Sequence, residues 1–276
     1  YYTMVAPFAG WQNQLVSIAE RLVGQYEADG IFLDSYAWQM NRPMRNNANE
    51  IFYTAQQYSQ GVLDLAGLVR SAIRRIKSNA IVMGETTAGP IARHWDGGLN
   101  ADFGFGNIWG KFKGPERLIA SPVRYGIPEV RMFGNGVDLN GLHQFFAAGH
   151  NLALCSNFPG TFMFTYADHI KKLVGIRVTY KDALIYGAQI NQPSSSSSAV
   201  VAYQYQGTLQ RIVTIVSIVD ELIEPTITIN LDTPDPGGTW TDLVAGRTYT
   251  TNNGVFENIG LGVGIGSLLV LLHNPG

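Results

Sequence analysis

The sequence predicts an α/β fold in which a run of parallel β/α units is followed by a smaller all-β module. Three observations predict it. From Tyr1 to about Tyr180, short apolar runs alternate with longer segments of 3.6-residue period; after Lys181 the pattern becomes period-two runs punctuated by Gly, Pro, Asn and Asp. The third is size: 46% of the 276 residues are apolar, enough to bury a large core.

In chain order, six parallel strands are expected: Tyr2–Ala6, Gly30–Asp34, Ala80–Glu85, Leu99–Phe105, Glu129–Phe133 and Asn151–Ser156. Between the first two, Trp11, Leu15, Ile18, Ala19, Leu22, Val23 and Tyr26 keep a helical period, which marks an amphipathic crossover helix. A second helix is expected from a capping-box-like start at Asn47 and Glu50, with one apolar face running from Ile51 through Tyr58, Val62, Leu65 and Val69 to Ile76. Shorter helical pieces surround Pro90–Trp95, Glu116–Ala120, Leu142–Ala148 and Tyr166–Val174. Six parallel strands are three quarters of a closed sheet of eight. Residues 1–180 are therefore read as the C-terminal six β/α units of a TIM-type (β/α)8 barrel, completed by an upstream segment or a second chain. An open doubly wound sheet is the alternative, but no Gly-rich phosphate fingerprint supports it.

Residues 181–276 are read as a small antiparallel β-sandwich. Its expected strands are Ala183–Ile190, Val200–Tyr205, Arg211–Ile218, Thr226–Asn230, Thr239–Asp242 and Ser267–Leu272. The run Ser194–Ser198 is placed in a mobile hairpin loop between strands.

Charge narrows the chemistry. Only 14% of residues are charged, with a net charge of −2, while 11% are aromatic. That balance excludes a disordered chain and a nucleic-acid binder, and a surface rich in Asn, Gln, Ser, Thr and Tyr suits polyols and sugars. The single Cys155 cannot form an internal disulfide, and its apolar setting marks a buried thiol. No stretch is long and apolar enough to span a bilayer. No histidine pair has ligand spacing and the acids are scattered, so neither a metal nor a cofactor is expected.

In a parallel barrel, chemistry collects where strands end. Asp34 closes the run Gly30-Ile31-Phe32-Leu33-Asp34, and Glu85 closes Ile81-Val82-Met83-Gly84-Glu85. Strands lie about 4.8 Å apart, so acids at one level face each other at roughly 5 to 6 Å. That suits glycosidic-bond cleavage with retention, which needs about 5 to 5.5 Å between carboxylates. Asp34 is then the nucleophile and Glu85 the acid/base. Each has a structural alternative: Asp34 as a turn or helix cap, and Glu85 as the partner of an arginine such as Arg93. Asp102, at the end of Leu99-Asn100-Ala101-Asp102, is the other candidate proton donor.

Aromatic residues crowd the strand ends. Tyr36 and Trp38 follow Asp34, Trp95 follows Glu85, Trp109 follows the fourth strand and Phe158 the sixth, an arrangement suited to stacking on sugar rings. Asp138 and Asn135 after the fifth strand, with Arg93 and His94, are expected to hold substrate hydroxyls.

The stretch Trp11–Trp38, with Ala28-Asp29-Gly30-Ile31-Phe32-Leu33-Asp34-Ser35, resembles the fourth-strand nucleophile region of retaining (β/α)8-barrel α-glycoside hydrolases. The group is that of the α-amylase-like, α-galactosidase-like and endo-α-N-acetylgalactosaminidase-like enzymes. Val82-Met83-Gly84-Glu85 is similar to the fifth-strand acid/base of two of those branches, and Gly238-Thr239-Trp240-Thr241-Asp242-Leu243 with Gly246-Arg247-Thr248-Tyr249 to their C-terminal domains. Two positions depart from the amylase-like pattern. Phe32 stands where an Arg is expected two residues before the nucleophile, and Phe133-Gly134-Asn135 replaces a His-Asp pair. The resemblance implies a secreted or periplasmic retaining hydrolase of α-linked glycans. A carbohydrate-binding or structural surface protein on the same fold is the rival expectation.

Overall fold

The computed structural model describes residues 8–33, 43–45, 49–85, 89–100, 131–134, 139–152, 160–219, 224–231 and 238–274. They fall into two compact units: the first runs to Asn100 and includes residues 131–132, and the second runs from residue 133 onwards.

In the first unit α1 (Ala9–Gly24) leads into β1 (Gly30–Leu33). The expected crossover helix is thus present, with Ala19 and Val23 buried and Trp11, Leu15 and Val16 packed beside them. Next come two short antiparallel strands, β2 (Met44–Arg45) and β3 (Ile51–Tyr53). The following helix α2 (Ala55–Ile76) therefore starts later than Asn47 and Glu50 suggest. Thr54 is its N-cap: the Gln57 N–H donates to Thr54 Oγ1 at 3.2 Å, and the Thr54 N–H donates to Gln57 Oε1 at 2.9 Å. This reciprocal pair satisfies two donors that a helix start otherwise leaves open, and Asn47 and Glu50 lie upstream of it.

β4 (Ile81–Glu85), a 3₁₀ segment (Gly89–His94) and β5 (Gly97–Asn100) follow. β1, β4 and β5 run parallel, with Leu33 opposite Gly84, Met83 opposite Gly97 and Glu85 opposite Leu99. Val62, Leu65, Val69 and Ile73 of α2 pack with Leu33 and Val82 in one apolar core. Trp95 fills the same core, fully buried beneath β4, where a Cβ on Gly84 would stand 2.1 Å from its ring. Only glycine leaves room for the indole there.

β6 (Arg131–Gly134), whose first two residues belong to the first unit and last two to the second, pairs in parallel with β7 (Asn151–Leu152), Phe133 facing Asn151. Helix α3 (Leu139–Ala147) lies between them in sequence, and α4 (Gly160–Thr179) and α5 (Lys181–Leu184) follow. The helical piece expected at Tyr166–Val174 is thus part of a twenty-residue helix. The strand expected from Ala183 begins only at Ala188, because Lys181–Leu184 is helical.

Nine antiparallel strands come next: β8 (Ala188–Asn191), β9 (Ser194–Ser195), β10 (Val200–Gln206), β11 (Arg211–Ser217), β12 (Glu224–Asn230), β13 (Thr239–Asp242), β14 (Thr248–Thr250), β15 (Val255–Leu261) and β16 (Leu268–Asn274). One sheet has the order β14-β13-β16-β11-β10-β8 and the other β15-β12-β9. Ala202, Val213, Ile215 and Leu271 of the first sheet share a core with Ile227, Ile229, Phe256 and Ile259 of the second. On its other face the first sheet presents Val201, Tyr203, Tyr205, Ile212, Val216 and Val270 to residues of α3, α4 and α5, among them Leu142, Phe146, Ile170, Leu173 and Leu184. One continuous core therefore joins residues on both sides of position 180, and the boundary of the compact units falls earlier in the chain.

The serine run is a loop only from Ser196 onwards, since it begins as the strand β9. Ser194 and Ser195 pair with Asn230 and Ile229, the Ser196 N–H donates to Thr228 O at 3.0 Å, and Ser196 Oγ accepts the Thr228 N–H at 3.0 Å. The Trp-x-Asp motif closes a turn between β13 and β14. Asp242, fully buried, accepts the N–H groups of Val244 at 2.9 Å and Ala245 at 3.0 Å. Among the described residues no helix is long and apolar enough to cross a membrane.

Gly84→Ala should destabilise the first unit by about 1 to 3 kcal/mol, since the added methyl has no space against Trp95. Urea unfolding monitored by tryptophan fluorescence would read this as a lower midpoint; a midpoint equal to that of the parent would contradict the packing.

Candidate functional site

β1, β4 and β5 end at one carboxyl edge because they are parallel and in register. Their pleat sorts the side chains. Ile31, Leu33 and Val82 turn towards α1 and α2, whereas Phe32 and Ile81, at 44% and 46% exposure, belong to the other face. Phe32 pairs with Met83 in the ladder, two residues before Glu85. At the edge, β1 ends at Leu33 opposite Gly84, and Glu85 is the last residue of β4. Asp34 follows Leu33 in sequence and lies outside the described residues, as do Tyr36, Trp38, Asp102, Trp109, Asn135, Asp138, Cys155 and Phe158.

Three expected site residues are described in full, and none stands at the carboxyl edge. Arg93, His94 and Trp95 come after the chain has returned along the sheet, just before β5 begins opposite Met83. Proximity in sequence to Glu85 misled the reading, because a six-residue 3₁₀ segment is enough to carry the chain back. Trp95 is a core side chain with no face for a sugar. Arg93 Nε donates to His94 Nε2 at 3.1 Å, so its described partner is the neighbouring imidazole.

Asp96, a neighbour of these three, holds the sheet to α2. Its Oδ1 lies 2.9 Å from Arg70 Nη1 and 2.6 Å from Arg74 Nη2, and its Oδ2 accepts the Val82 N–H at 2.9 Å. Sequence reading passed over both arginines. Their signal was the i, i+4 spacing of Arg70 and Arg74 beside the buried stripe of α2. Among the described residues no group of three or more His, Cys, Asp or Glu could hold a metal ion.

No protein-family model matches this chain, and no curated protein is significantly similar to it in sequence. Solved structures do match. An α-amylase from Anoxybacillus superposes with a TM-score of 0.57 at 11% identity over 97% of this chain and 63% of its own. The noncanonic maltogenic α-amylase AmyB from Thermotoga neapolitana gives 0.61 at 11% identity, covering 96% of this chain and 66% of that one. AmyP, solved in complex with maltose, gives 0.53 at 10% identity over 96% and 68%. The fold is α-amylase-like. This chain spans less than two thirds of the first two of these amylases.

The amylase-like fold also carries a histidine cluster in the second unit that sequence reading missed. His143 of α3 is fully buried, its Nδ1 2.8 Å from Ser267 Oγ and its Nε2 2.7 Å from His169 Nε2 of α4. Ser267 Oγ donates to Gly264 O at 2.9 Å, so it accepts from His143 Nδ1–H, which leaves His143 Nε2 to accept from His169 Nε2–H. The network fails if both imidazoles are protonated, because neither Nε2 could then accept. Burial, and then the adjacent His169, hold His143 down to about 3. His150 is buried with neither ring nitrogen partnered among the described residues, and burial with nearby Arg177 holds it at about 3 as well. The sequence signal was polar residues inside the apolar run Leu142-His143-Gln144-Phe145-Phe146.

These histidines bind protons more weakly in the folded chain than in the unfolded one. Their contribution is present above the ordinary histidine value of 6.5 and is lost as pH falls from there towards about 3. Thermal unfolding followed by circular dichroism should show a falling midpoint between pH 6.5 and 4, and His150→Phe should flatten that dependence. A variant as acid-labile as the parent would remove His150 from the account.

Proposed function

We propose that this chain carries the nucleophile and the acid/base of a retaining glycoside hydrolase acting on α-linked glycans or polysaccharides. The observation that supports it most is the strand register: β1 ends opposite Gly84, so the residue after Leu33 and the residue after Gly84 are the two acids, Asp34 and Glu85. Parallel neighbours lie about 4.8 Å apart, and retention needs about 5 to 5.5 Å between carboxylates. An amylase-like fold adds weight, since parallel β/α barrels place their chemistry at the carboxyl ends of strands. AmyP binds maltose in its solved complex, so an α-linked glucan is the first substrate to try.

On this reading Asp34 attacks the anomeric carbon while Glu85 protonates the departing glycosidic oxygen. Glu85 then takes a proton from water, which hydrolyses the glycosyl ester with net retention. Asp102, two residues beyond the end of β5, is the alternative proton donor. On the same reading the chain supplies six β/α units of the barrel. Tyr36, Trp38 and Trp109 form stacking platforms, and Asn135 and Asp138 hold hydroxyls. A secreted or periplasmic location fits a polysaccharide substrate.

In the full protein, Asp34→Asn should reduce kcat on maltooligosaccharides roughly 10⁴-fold or more. The first-formed product should be the α-anomer by NMR. Glu85→Gln should lose far less on substrates with an activated leaving group than on natural glycans, because such leaving groups need no proton. Turnover near that of the parent in Asp34→Asn refutes the nucleophile. Glycan binding without turnover in the parent assigns the fold to a binding protein instead.

A further inference from the structure

A second polar constellation lies on the helix side of the first unit, away from the strand ends. Gln12 of α1, Asp64, Arg70 and Ser71 of α2, and Arg93 and His94 of the 3₁₀ segment line an open hollow of about 550 Å³. Arg70 and Arg74 both lie against the carboxylate of Asp96. Asp64 is the one acid in the lining, and its Oδ1 already accepts from Gln60 Nε2 at 2.7 Å.

Arg93 is exposed, and among the described residues its guanidinium makes one hydrogen bond, from Nε to His94 Nε2. By accepting there, His94 must be neutral, with its proton on Nδ1. The imidazole lies against α2 at Gly67, where a Cβ would stand 3.2 Å from Cε1, so the ring is seated on the wall of the hollow. Burial, then Arg93 and Arg70, lower the proton affinity of His94, and Asp64 works weakly the other way.

A cation whose terminal nitrogens point at no described acceptor sits beside an imidazole kept neutral by that same cation. An oxyanion resolves both conditions at once. It accepts from the guanidinium fork, and its charge favours protonation of the ring, which then donates as well. Both donors stand on adjacent residues of the 3₁₀ segment beside an open space, which suits a compact oxyanion. We propose that this hollow binds a phosphate group, free or as the monoester of a sugar, held by Arg93 and by protonated His94. Binding takes up one proton, and Arg93 exchanges its bond to His94 Nε2 for bonds to phosphate oxygens.

The test is an NMR titration of the His94 Cε1–H resonance in the full chain, assigned by its loss in His94→Asn. Inorganic phosphate is compared with sodium chloride of equal ionic strength. Phosphate should shift the resonance saturably and move its titration midpoint upward; chloride should do neither. Arg93→Gln, an exposed substitution, should weaken the phosphate effect roughly tenfold or more while leaving the thermal midpoint in place. Arg93→Lys should keep part of it. Glucose 6-phosphate forms the second arm: binding tighter than that of phosphate identifies a sugar monoester, and binding of inorganic phosphate alone identifies the free ion. No saturable shift with either probe, or equal binding by Arg93→Gln, overturns the site. Neither result bears on Asp34 or Glu85.

Discussion

Helix α3 ends inside the protein, and the carbonyl groups of its last turn have no route to water. Buried acceptors without donors cost about 1 to 3 kcal/mol each, so the surrounding structure has to supply donors. It does so from three directions. Arg177 of α4 donates to Phe146 O at 3.0 Å, Gly149 O at 2.9 Å and Leu184 O at 3.3 Å, while Tyr205 and Thr214 donate their hydroxyls to Ala147 O at 2.7 and 2.8 Å. Arg177 is buried and faces carbonyl oxygens in place of an acid. Burial lowers it only to about 10, so it stays cationic. One turn of helix thus binds α4, α5, β10 and β11 into a single body. Burial keeps His150 neutral, and the same cation adds to it, since a second buried charge beside Arg177 would be repelled.

The first unit depends on a different device with the same logic. Asp96 stands immediately before β5, and both its backbone and its carboxylate bond to Val82, through the Asp96 N–H to Val82 O at 2.7 Å and through Oδ2 from the Val82 N–H. Those bonds fix the level at which β5 starts relative to β4. Two arginines of α2 hold the carboxylate in place, and Trp95 fills the space under Gly84. Register is the quantity that matters here. A slip of one residue would turn every side chain of a strand to the opposite face, and with it any acid at the strand's end.

Much of this was legible from local pattern. The strands at Gly30, Ala80, Glu129 and Asn151 and the helix after Trp11 follow from apolar runs bounded by polar residues, and each is found within a few residues of its expected place. What escaped was set by contacts distant in sequence. The serine run reads as a hairpin loop, yet its first residues pair with β12, and the hydroxyl and amide of Ser196 find Thr228. Both faces of the six-stranded sheet are covered, so β10 and β11 are buried almost continuously, and no local feature signals the helices lying on them. In sequence Trp95 looks like a stacking platform, because tryptophan after a strand can stack on sugars. The glycine beneath which it fits, eleven residues earlier, is what makes it core. Of the candidate site, the level of Glu85 on its strand was legible, whereas the return of Arg93 and His94 to the opposite edge was not.

An amylase-like fold at about 11% identity shows which features such an architecture needs. Few of them are particular side chains. A parallel strand needs neighbours at a fixed level, a helix pressed on one face, and a start that is pinned. In this chain those needs are met by Leu33 and Val82 against α2, by Asp96 between two arginines, and by an indole under a glycine. Each is one local solution among many that satisfy the same packing. The face opposite the helices is under a different constraint: Phe32 and Ile81 remain about half exposed there, though such side chains ordinarily gain by burial. Phe32 stands one residue before the carboxyl end of β1, whereas Ile81 opens β4 at the amino end, so the face away from the helices is apolar along the length of the strands and is fixed by the same register that orders the helix side.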